Sequence, residues 1–159
     1  MNHKLDTDTH VYFYEQDFYV LSNFSSFQVF VYANRHQTAE HAYHYEKFAD
    51  KDKTIALLIQ MATSAHEAFK IAQKYKYLRN PNWDEVKFST MKDIIRAKAE
   101  QHEYVRRKLL QTGDRILVED SWRDDVWGWG PNKDGQNMLG KLWMEVREEL
   151  RQLEKPSAN

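Results

Sequence analysis

The chain has 159 residues, of which 30% are charged and 42% hydrophobic, a balance typical of one globular domain with its own core. A formal net charge of −1 excludes the strongly basic surface that wraps a nucleic-acid duplex, and the absence of cysteine excludes disulfides, a thiolate nucleophile and a cysteine-ligated metal. The polar start and the lack of any long apolar run predict no signal peptide and no membrane span. We therefore expect a cytoplasmic protein with one domain over residues 1–159, its core at about 11–153 and short tails at 1–10 and 154–159.

Short runs of aromatic and β-branched residues predict a small antiparallel β-sheet near the N-terminus. Polar residues separate three such runs, at 11–15, 19–24 and 27–32. One more short strand is predicted at 115–119, after most of the helical part of the chain. The β part is therefore small and lies mostly in the first thirty or so residues.

From residue 38 onward the spacing of apolar side chains is helical. The first three predicted helices cover residues 38–49, 51–61 and 65–75. Asp50 is the predicted N-cap of the second helix, and Ser64 with Glu67 forms the capping-box pattern of the third. These local signals predict three consecutive helices.

Turn-forming residues mark the ends of the later helices. Asn82 is predicted to cap a short helix that begins at Trp83, and residues 91–111 continue as helix, broken near His102. The last helix, at 138–153, carries a continuous apolar face. The predicted fold class is therefore mainly α, of the α+β type: a helical bundle with a small antiparallel β-sheet.

The first predicted helix carries four side chains of catalytic type on one face. Glu40, Tyr43, His44 and Lys47 are spaced i, i+3, i+4 and i+7, so an acid, a phenol, an imidazole and an amine line up. On an exposed helix this pattern is an ordinary stripe of charged residues. In a cleft, the carboxylate can act as general base or stabilise a sugar cation, and a desolvated lysine becomes a nucleophile. Burial decides between the two interpretations.

A segment rich in tryptophan and glycine follows the predicted strand at 115–119. Residues 124–130 read DDVWGWG, and residues 135–140 read GQNMLG. Tryptophans offer flat apolar surfaces, glycines let the backbone approach a ligand closely, and aspartates supply charge or proton transfer. Such a surface fits a ring that carries a polar sugar. The alternative is a glycine-rich turn whose tryptophans pack in the core.

The histidines and glycines match no metal-binding or phosphate-loop motif. His41 and His44 are three residues apart rather than the four of a zinc-binding helix, and no phosphate-binding glycine pattern follows a strand. We therefore expect no metal and no cofactor.

A series of short motifs resembles the NADAR (YbiA-like) family in order and spacing, over about residues 13–150. The motifs are Ser22-Asn23-Phe24, TAEHAY at 38–43 with Lys47, Trp83 before Met91, Ala97-Lys98, LLQTG at 109–113, Val118-Glu119, Asp124 with WGWG at 127–130, and GQNMLG at 135–140 followed by Met144 and Arg147. Ala99 and His102 stand where the family pattern has Phe and Asn, and Trp143 replaces a more usual aliphatic residue. These departures affect packing more than the expected site.

The resemblance implies a mostly helical fold with an N-glycosidase active site. Members of the family are associated with cleaving ribosylamino-pyrimidine intermediates of riboflavin synthesis, or with removing ADP-ribose from guanine in nucleic acid. Both reactions break the bond between ribose C1′ and a nitrogen. The implied partner is therefore a small ribosyl or ADP-ribosyl substrate, or an ADP-ribosylated single strand of nucleic acid, and no membrane.

Carried onto this sequence, the resemblance implies roles for ten residues. Glu40 or Asp124 is expected to stabilise the sugar cation and activate water, and Lys47 is expected to attack C1′ covalently or to hold a phosphate. Trp83 and Trp127 are expected to sandwich the base. The other expected substrate-binding residues are Asn23, Phe24, Tyr43, Gly128 and Asn137.

Two other classes of function are compatible with the same residues. A binding module for ADP-ribose or NAD-like ligands would use the tryptophans and asparagines without needing Glu40 or Lys47. A structural protein would use all its aromatic side chains in the core. Trp129 and Trp143 fit a core or a subunit interface equally well, so the sequence leaves the oligomeric state open.

Overall fold

The computed structural model describes residues 6–14 and 16–155. The chain packs into two compact units. The central unit is Asn23–His102, and the terminal unit combines Met1–Ser22 with Glu103–Asn159. One domain over residues 1–159 stays a prediction. Residues 1–5 and 156–159 of the predicted tails, and Glu15 of the first predicted strand, lie outside the described residues.

Helices form most of the regular structure in the described ranges. In chain order the elements are β1 (His10–Tyr12), a 3₁₀ helix (Gln16–Leu21), β2 (Val29–Val31), β3 (Asn34–His36), α1 (Ala39–Glu46), α2 (Lys53–Gln60), α3 (Ala65–Lys74), a second 3₁₀ helix (Lys76–Leu78), α4 (Trp83–Gln101), α5 (Glu103–Gln111), β4 (Ile116–Val118) and α6 (Met138–Glu154). This architecture confirms the predicted mainly helical α+β class.

The central unit opens with a tight β-hairpin. β2 and β3 pair antiparallel, with Val29 opposite His36 and Val31 opposite Asn34. The two turn residues, Tyr32 and Ala33, both have positive φ angles, of 51° and 64°, as a two-residue hairpin turn requires. β3 was not predicted, because its residues are polar and the turn contains no glycine.

Helices α1, α2 and α3 of the central unit pack around one apolar cluster. Its buried members are Tyr45, Phe48, Ile55, Ala56, Ile59, Ala62, Ala68 and Ala72. The predicted cap of α3 is confirmed, because Ser64 Oγ accepts a hydrogen bond from Glu67 N at 3.0 Å. The predicted cap of α2 is wrong: Asp52, not Asp50, accepts from Ile55 N, since the helix begins two residues later than predicted.

The fourth helix of the central unit is longer than predicted. Residues Trp83–Gln101 form one continuous helix rather than a short helix followed by a second one. It begins at Trp83 as predicted, but Asn82 makes no side-chain capping bond. The predicted break at His102 is confirmed, because α5 begins at Glu103.

The terminal unit contains the second β pair. β1 lies parallel to β4, with Val11 opposite Leu117, so the first predicted strand is real but pairs with a strand about a hundred residues away rather than within an N-terminal antiparallel sheet. The predicted strand at 19–24 is wrong, because Gln16–Leu21 is a 3₁₀ helix. Trp143 is fully buried in α6 and its Nε1 donates to Leu21 O at 2.9 Å, so it is a core residue.

His36, at the end of β3, is a buried histidine with no hydrogen bond at either ring nitrogen in the described part of the chain. Its ring packs edge-on against Tyr45, with 4.9 Å between ring centroids. Burial lowers the pKa of His36 to about 4, and the nearby His41 adds to the lowering. The folded protein therefore holds this imidazole in its neutral form.

We expect acid to destabilise the protein through His36. The pKa of about 4 in the folded state lies below the ordinary value of 6.5, so the stabilisation is fully present above pH 6.5 and is lost as the pH falls toward 4. The difference between the two pKa values corresponds to about 3 kcal/mol of unfolding free energy in full, of which about 2 kcal/mol is lost between pH 7.5 and pH 5. Urea unfolding at pH 7.5 and pH 5 measures it. Between these pH values, His36→Met should lose clearly less unfolding free energy than the wild type. The matched control His66→Met, which replaces an exposed histidine, should lose as much as the wild type. An unchanged pH dependence in His36→Met would contradict the prediction.

Candidate active site

Helix α1 turns its four catalytic-type side chains away from solvent. Glu40 is 9% exposed, Tyr43 6% and His44 3%, while Lys47 at the end of the helix is half-buried. This burial excludes the interpretation of the face as an exposed stripe of charged residues. The helix register that the i, i+3, i+4 and i+7 spacing predicted therefore assembles a desolvated group of an acid, a phenol, an imidazole and an amine.

Glu40 and His44 form a buried pair one helical turn apart. His44 Nε2 lies 2.6 Å from Glu40 Oε1. Burial disfavours ionisation of Glu40, but the electrostatic interaction and hydrogen bond with His44 and the ammonium of Lys47 outweigh it, so the pKa of Glu40 lies below its ordinary value. Burial also lowers the pKa of His44, against the opposing effect of Glu40. Near neutral pH the pair is therefore a carboxylate that accepts a hydrogen bond from a neutral imidazole.

Lys47 is the amine of the group. Its Nζ lies 4.8 Å from the centroid of the Tyr43 ring. Burial lowers the pKa of Lys47 to about 8; the Glu40 carboxylate opposes this change and the charges of surrounding cations add to it. At pH 7, a lysine with this pKa carries a neutral, nucleophilic amine in about a tenth of the protein molecules.

Trp83, at the start of α4, contacts Tyr43. Its Nε1 donates to Tyr43 Oη at 3.3 Å, and the two rings meet edge-to-face with 5.2 Å between centroids. Asn80 N donates to Lys47 O at 2.7 Å, which joins the turn before α4 to the end of α1. Trp83 is 2% exposed, so its indole contributes to packing. Its stacking on a base stays a prediction.

Asn23 and Phe24 precede the hairpin in the same unit. Asn23 O accepts a hydrogen bond from Glu40 N at 3.1 Å, and its Nδ2 donates to Met91 Sδ at 3.5 Å. Asn23 Oδ1 is buried and has no hydrogen-bond partner among the described residues. Phe24 is 41% exposed. A buried amide oxygen next to the backbone of Glu40 is suited to bind a donor group of a ligand.

Three cations that no sequence motif marks act electrostatically on Lys47. The charges of Lys76, Arg79 and Lys87 each contribute to lowering the pKa of Lys47. One exposed carboxylate, Asp84, lies 3.3 Å from Arg79 and 3.1 Å from Lys87. The three residues are spread over twelve positions of sequence and meet only because the chain turns before α4, so no local pattern reveals them.

Four predicted site residues lie in the terminal unit, in and after the glycine-rich loop. Asp124 Oδ1 accepts hydrogen bonds from Val126 N at 2.9 Å and Trp127 N at 2.8 Å, so this carboxylate shapes the turn that carries Trp127. A Cβ at Gly128 would lie 2.9 Å from Glu119 O, which is too close for any larger residue without a shift of the backbone.

Asn137 links this loop to β4. Its Oδ1 accepts from Glu119 N at 2.9 Å and its Nδ2 donates to Leu117 O at 2.8 Å. These bonds hold the start of α6 against the end of the strand. They establish a structural use of this amide, and a role for Asn137 in orienting a ligand stays a prediction.

The ten predicted site residues therefore fall into two groups. Asn23, Phe24, Glu40, Tyr43, Lys47 and Trp83 belong to the central unit, and Asp124, Trp127, Gly128 and Asn137 belong to the terminal unit. Within the described ranges, no group of three His, Asp or Glu side chains could hold a metal ion. In the same part of the chain, none of the helices has the length and apolar character needed to cross a membrane.

Comparison with known proteins shows the relationships of the chain. The family model of the NADAR domain matches residues 12–151. An N-glycosidase of Nostoc punctiforme is 39% identical over 146 residues, which cover 90% of this chain and 94% of that protein. A riboflavin biosynthesis protein of Vibrio vulnificus is 33% identical over 144 residues, which cover 89% of this chain but 39% of that longer protein. The NMR structure of the Escherichia coli protein YbiA superposes with a TM-score of 0.83 at 33% identity, covering 98% of this chain and 94% of that chain.

These matches confirm the resemblance predicted from the motifs and the mainly helical α+β fold. They also confirm the prediction of an enzyme of the N-glycosidase class, a hydrolase of N-glycosyl bonds.

Proposed function

The chain belongs to the NADAR domain family, and on that premise we propose that it hydrolyses the bond between ribose C1′ and the nitrogen of a ribosylamino-pyrimidine phosphate. The observation that carries this proposal is the half-buried Lys47, whose pKa is lowered to about 8, in the helix that buries the Glu40 carboxylate. Cleavage at C1′ develops positive charge on the sugar, so it needs a nearby anion and a nucleophile. Glu40 and Lys47 supply these two groups.

The proposed reaction begins with the neutral amine of Lys47. Its lone pair forms a bond to C1′ as the bond to the base breaks, and the base leaves with the electron pair and takes up a proton. Ring opening converts the adduct to a Schiff base, and water hydrolyses it to regenerate the lysine and release the sugar phosphate. Glu40 stabilises the positive charge at C1′. The family resemblance supports Asp124 as the residue that activates water.

The cations around Lys47 support a substrate that carries phosphate. Lys76, Arg79 and Lys87 bring three positive charges, and Asp84 supplies one neighbouring negative charge. This excess of positive charge suits the binding of a doubly charged phosphate, to which an arginine can donate two parallel hydrogen bonds. A phosphorylated substrate does not cross a lipid bilayer unaided, so we place the reaction in the cytoplasm.

We expect these cations to act on substrate binding rather than on the chemical step. Arg79→Gln and Lys87→Gln should each raise KM for the phosphorylated substrate about tenfold, the effect of losing about 1.4 kcal/mol, with little change in kcat. The matched control is Lys70→Gln, which removes an exposed lysine of α3. Steady-state kinetics on the substrate with and without its phosphate measures the effect. An equal rise of KM for both forms would contradict a phosphate-binding role.

A second candidate substrate is ADP-ribosylated guanine in a single strand of nucleic acid. It contains the same ribose C1′–N bond and two phosphates, so the same cations would serve it. The net charge of −1 favours the small molecule, because binding a long polyanion depends on many positive charges. A module that binds ADP-ribose or NAD-like ligands without turnover is the alternative from another class of function.

Product analysis by mass spectrometry tests the proposal. The protein is incubated with ribosylamino-pyrimidine phosphate and separately with an oligonucleotide that carries ADP-ribosylated guanine. Release of the free pyrimidine supports the proposed substrate, and release from the oligonucleotide alone supports the second candidate. Binding of either compound without any product would establish the binding module and refute the enzymatic proposal.

A further inference from the structure

We propose that His44 is a positioning residue: its Nε2–H holds the Glu40 carboxylate in one orientation and keeps it ionised, so that the second carboxylate oxygen is available to the substrate. The proposal rests on the proposed function for its catalytic consequence. The hydrogen bond itself is a property of the structure and can be tested without turnover.

The geometry of the pair carries this inference. The distance of 2.6 Å between His44 Nε2 and Glu40 Oε1 is short for a bond between nitrogen and oxygen, as charge-assisted bonds are. Both side chains are buried, with 4% and 11% of their surfaces exposed, so water competes little for either partner. Glu40 N in turn donates a hydrogen bond to Asn23 O, which fixes the backbone that carries the carboxylate. Bonds of this kind around an active group set its orientation.

The surroundings of His44 favour its neutral form with the proton on Nε2. His44 Nδ1 is buried and lacks a hydrogen-bond partner among the residues that the structure describes. A second proton there would leave a buried N–H without an acceptor, at a cost of about 1–3 kcal/mol. A neutral imidazole with Nε2 protonated donates to Glu40 and leaves Nδ1 as an unprotonated nitrogen.

The groups that face His44 come from two helices. From α1, Glu40 is its hydrogen-bond partner, the charges of Lys47 and His41 also act on it, and the Tyr43 ring lies 5.1 Å from its own. From α3, the Phe69 ring packs edge-on at 5.8 Å between centroids. His66 stacks on that ring, at 6.2 Å. Glu40 is the one carboxylate among these groups. It is therefore the acid whose ionisation the hydrogen bond of His44 favours.

Two substitutions distinguish the effect of the hydrogen bond from His44 to Glu40 from the effect of filling the space of the His44 side chain. In His44→Gln, the side-chain amide can place an N–H near the position of Nε2 and still donate to Glu40, although it does not titrate. In His44→Asn, the amide is one methylene shorter and does not reach the carboxylate. We expect kcat to fall about 10–100-fold in His44→Asn, the range for losing a hydrogen bond to a charged group, and to recover most of this loss in His44→Gln. KM and the thermal midpoint should differ little between the two variants.

The pH profile and a titration by NMR complete the test. Loss of the hydrogen bond raises the pKa of Glu40. The profile of kcat/KM therefore has a second limb, set by Glu40, at lower pH than the limb set by Lys47, and this lower limb should move to higher pH in His44→Asn and stay near its wild-type position in His44→Gln. Carbon-13 NMR of the Glu40 side-chain carboxyl measures the same pKa directly in the protein without substrate. Equal Glu40 titrations in the wild type and His44→Asn, or equal kcat in the two variants, would overturn the proposal. If the wild type turns over neither substrate, the proposed function is refuted. A raised Glu40 pKa in His44→Asn, measured by NMR, would still establish the effect of the His44 hydrogen bond on Glu40.

Discussion

Replacing Lys47 with arginine should abolish turnover, lowering kcat about 10³-fold or more, while the folded protein persists. Arginine keeps the positive charge and can still hold a phosphate, but its guanidinium stays protonated and is not a nucleophile. Lys47 lies at the C-terminal end of α1 and is half-buried, so a residue of similar length is accommodated there. Measured kcat and the thermal midpoint of Lys47→Arg test the expectation.

The chain offers a matched control for this substitution. Lys53 also lies over a tyrosine ring, with its Nζ 5.0 Å from the centroid of Tyr45, compared with 4.8 Å between Lys47 and Tyr43. Its pKa is raised by a hydrogen bond to Tyr45, whereas burial lowers the pKa of Lys47 to about 8. Lys53→Arg should therefore retain turnover. Near-normal turnover in Lys47→Arg would show that this lysine is not the nucleophile.

The covalent role of Lys47 has two further signatures. Borohydride added during turnover should reduce the Schiff base and attach the sugar phosphate to a peptide that contains Lys47, which mass spectrometry identifies. Since only the neutral amine attacks, kcat/KM should rise with pH about tenfold per unit and level off near pH 8, the pKa of Lys47. Rapid turnover without any trapped adduct would favour direct attack of water on C1′.

Replacing Glu40 with glutamine should lower kcat about 10²–10³-fold, because a neutral amide stabilises a sugar cation far less than a carboxylate does. Glutamine has nearly the same shape, and its Oε1 can still accept a hydrogen bond from His44 Nε2. The thermal midpoint should therefore change little. Kinetics and thermal unfolding of Glu40→Gln beside Glu100→Gln, which alters an exposed glutamate of α4, measure these effects.

The same variant should also change the titration of Lys47. The Glu40 carboxylate supports the ammonium form and so opposes the lowering of the Lys47 pKa. Removing its charge should lower the pKa of Lys47 below 8, and the pH at which kcat/KM levels off should fall with it. Wild-type kcat in Glu40→Gln, or an unchanged position of this limb, would exclude the proposed interaction between the two side chains.

The local capping signals show which parts of the fold were predictable. A cap depends on residues three apart in sequence, so Ser64 with Glu67 marked the start of α3 correctly. The strand at 19–24 was predicted wrongly because an aromatic run suits a partly buried 3₁₀ helix as well as a strand. The parallel pairing of β1 with β4 joins segments about a hundred residues apart, and nothing in either segment specifies its partner.

The candidate site shows the same division between local and distant information. By itself, the sequence determined that Glu40, Tyr43, His44 and Lys47 share one face, since helical periodicity places residues three, four and seven positions apart together. It also determined the family, through motifs that run along nearly the whole chain. Only the tertiary structure decided that this face is buried, that the pKa of Lys47 is lowered, and that Lys76, Arg79 and Lys87 are close enough to act on it. Burial and the strength of interactions between charges depend on what the whole fold packs around a side chain, which no local spacing contains.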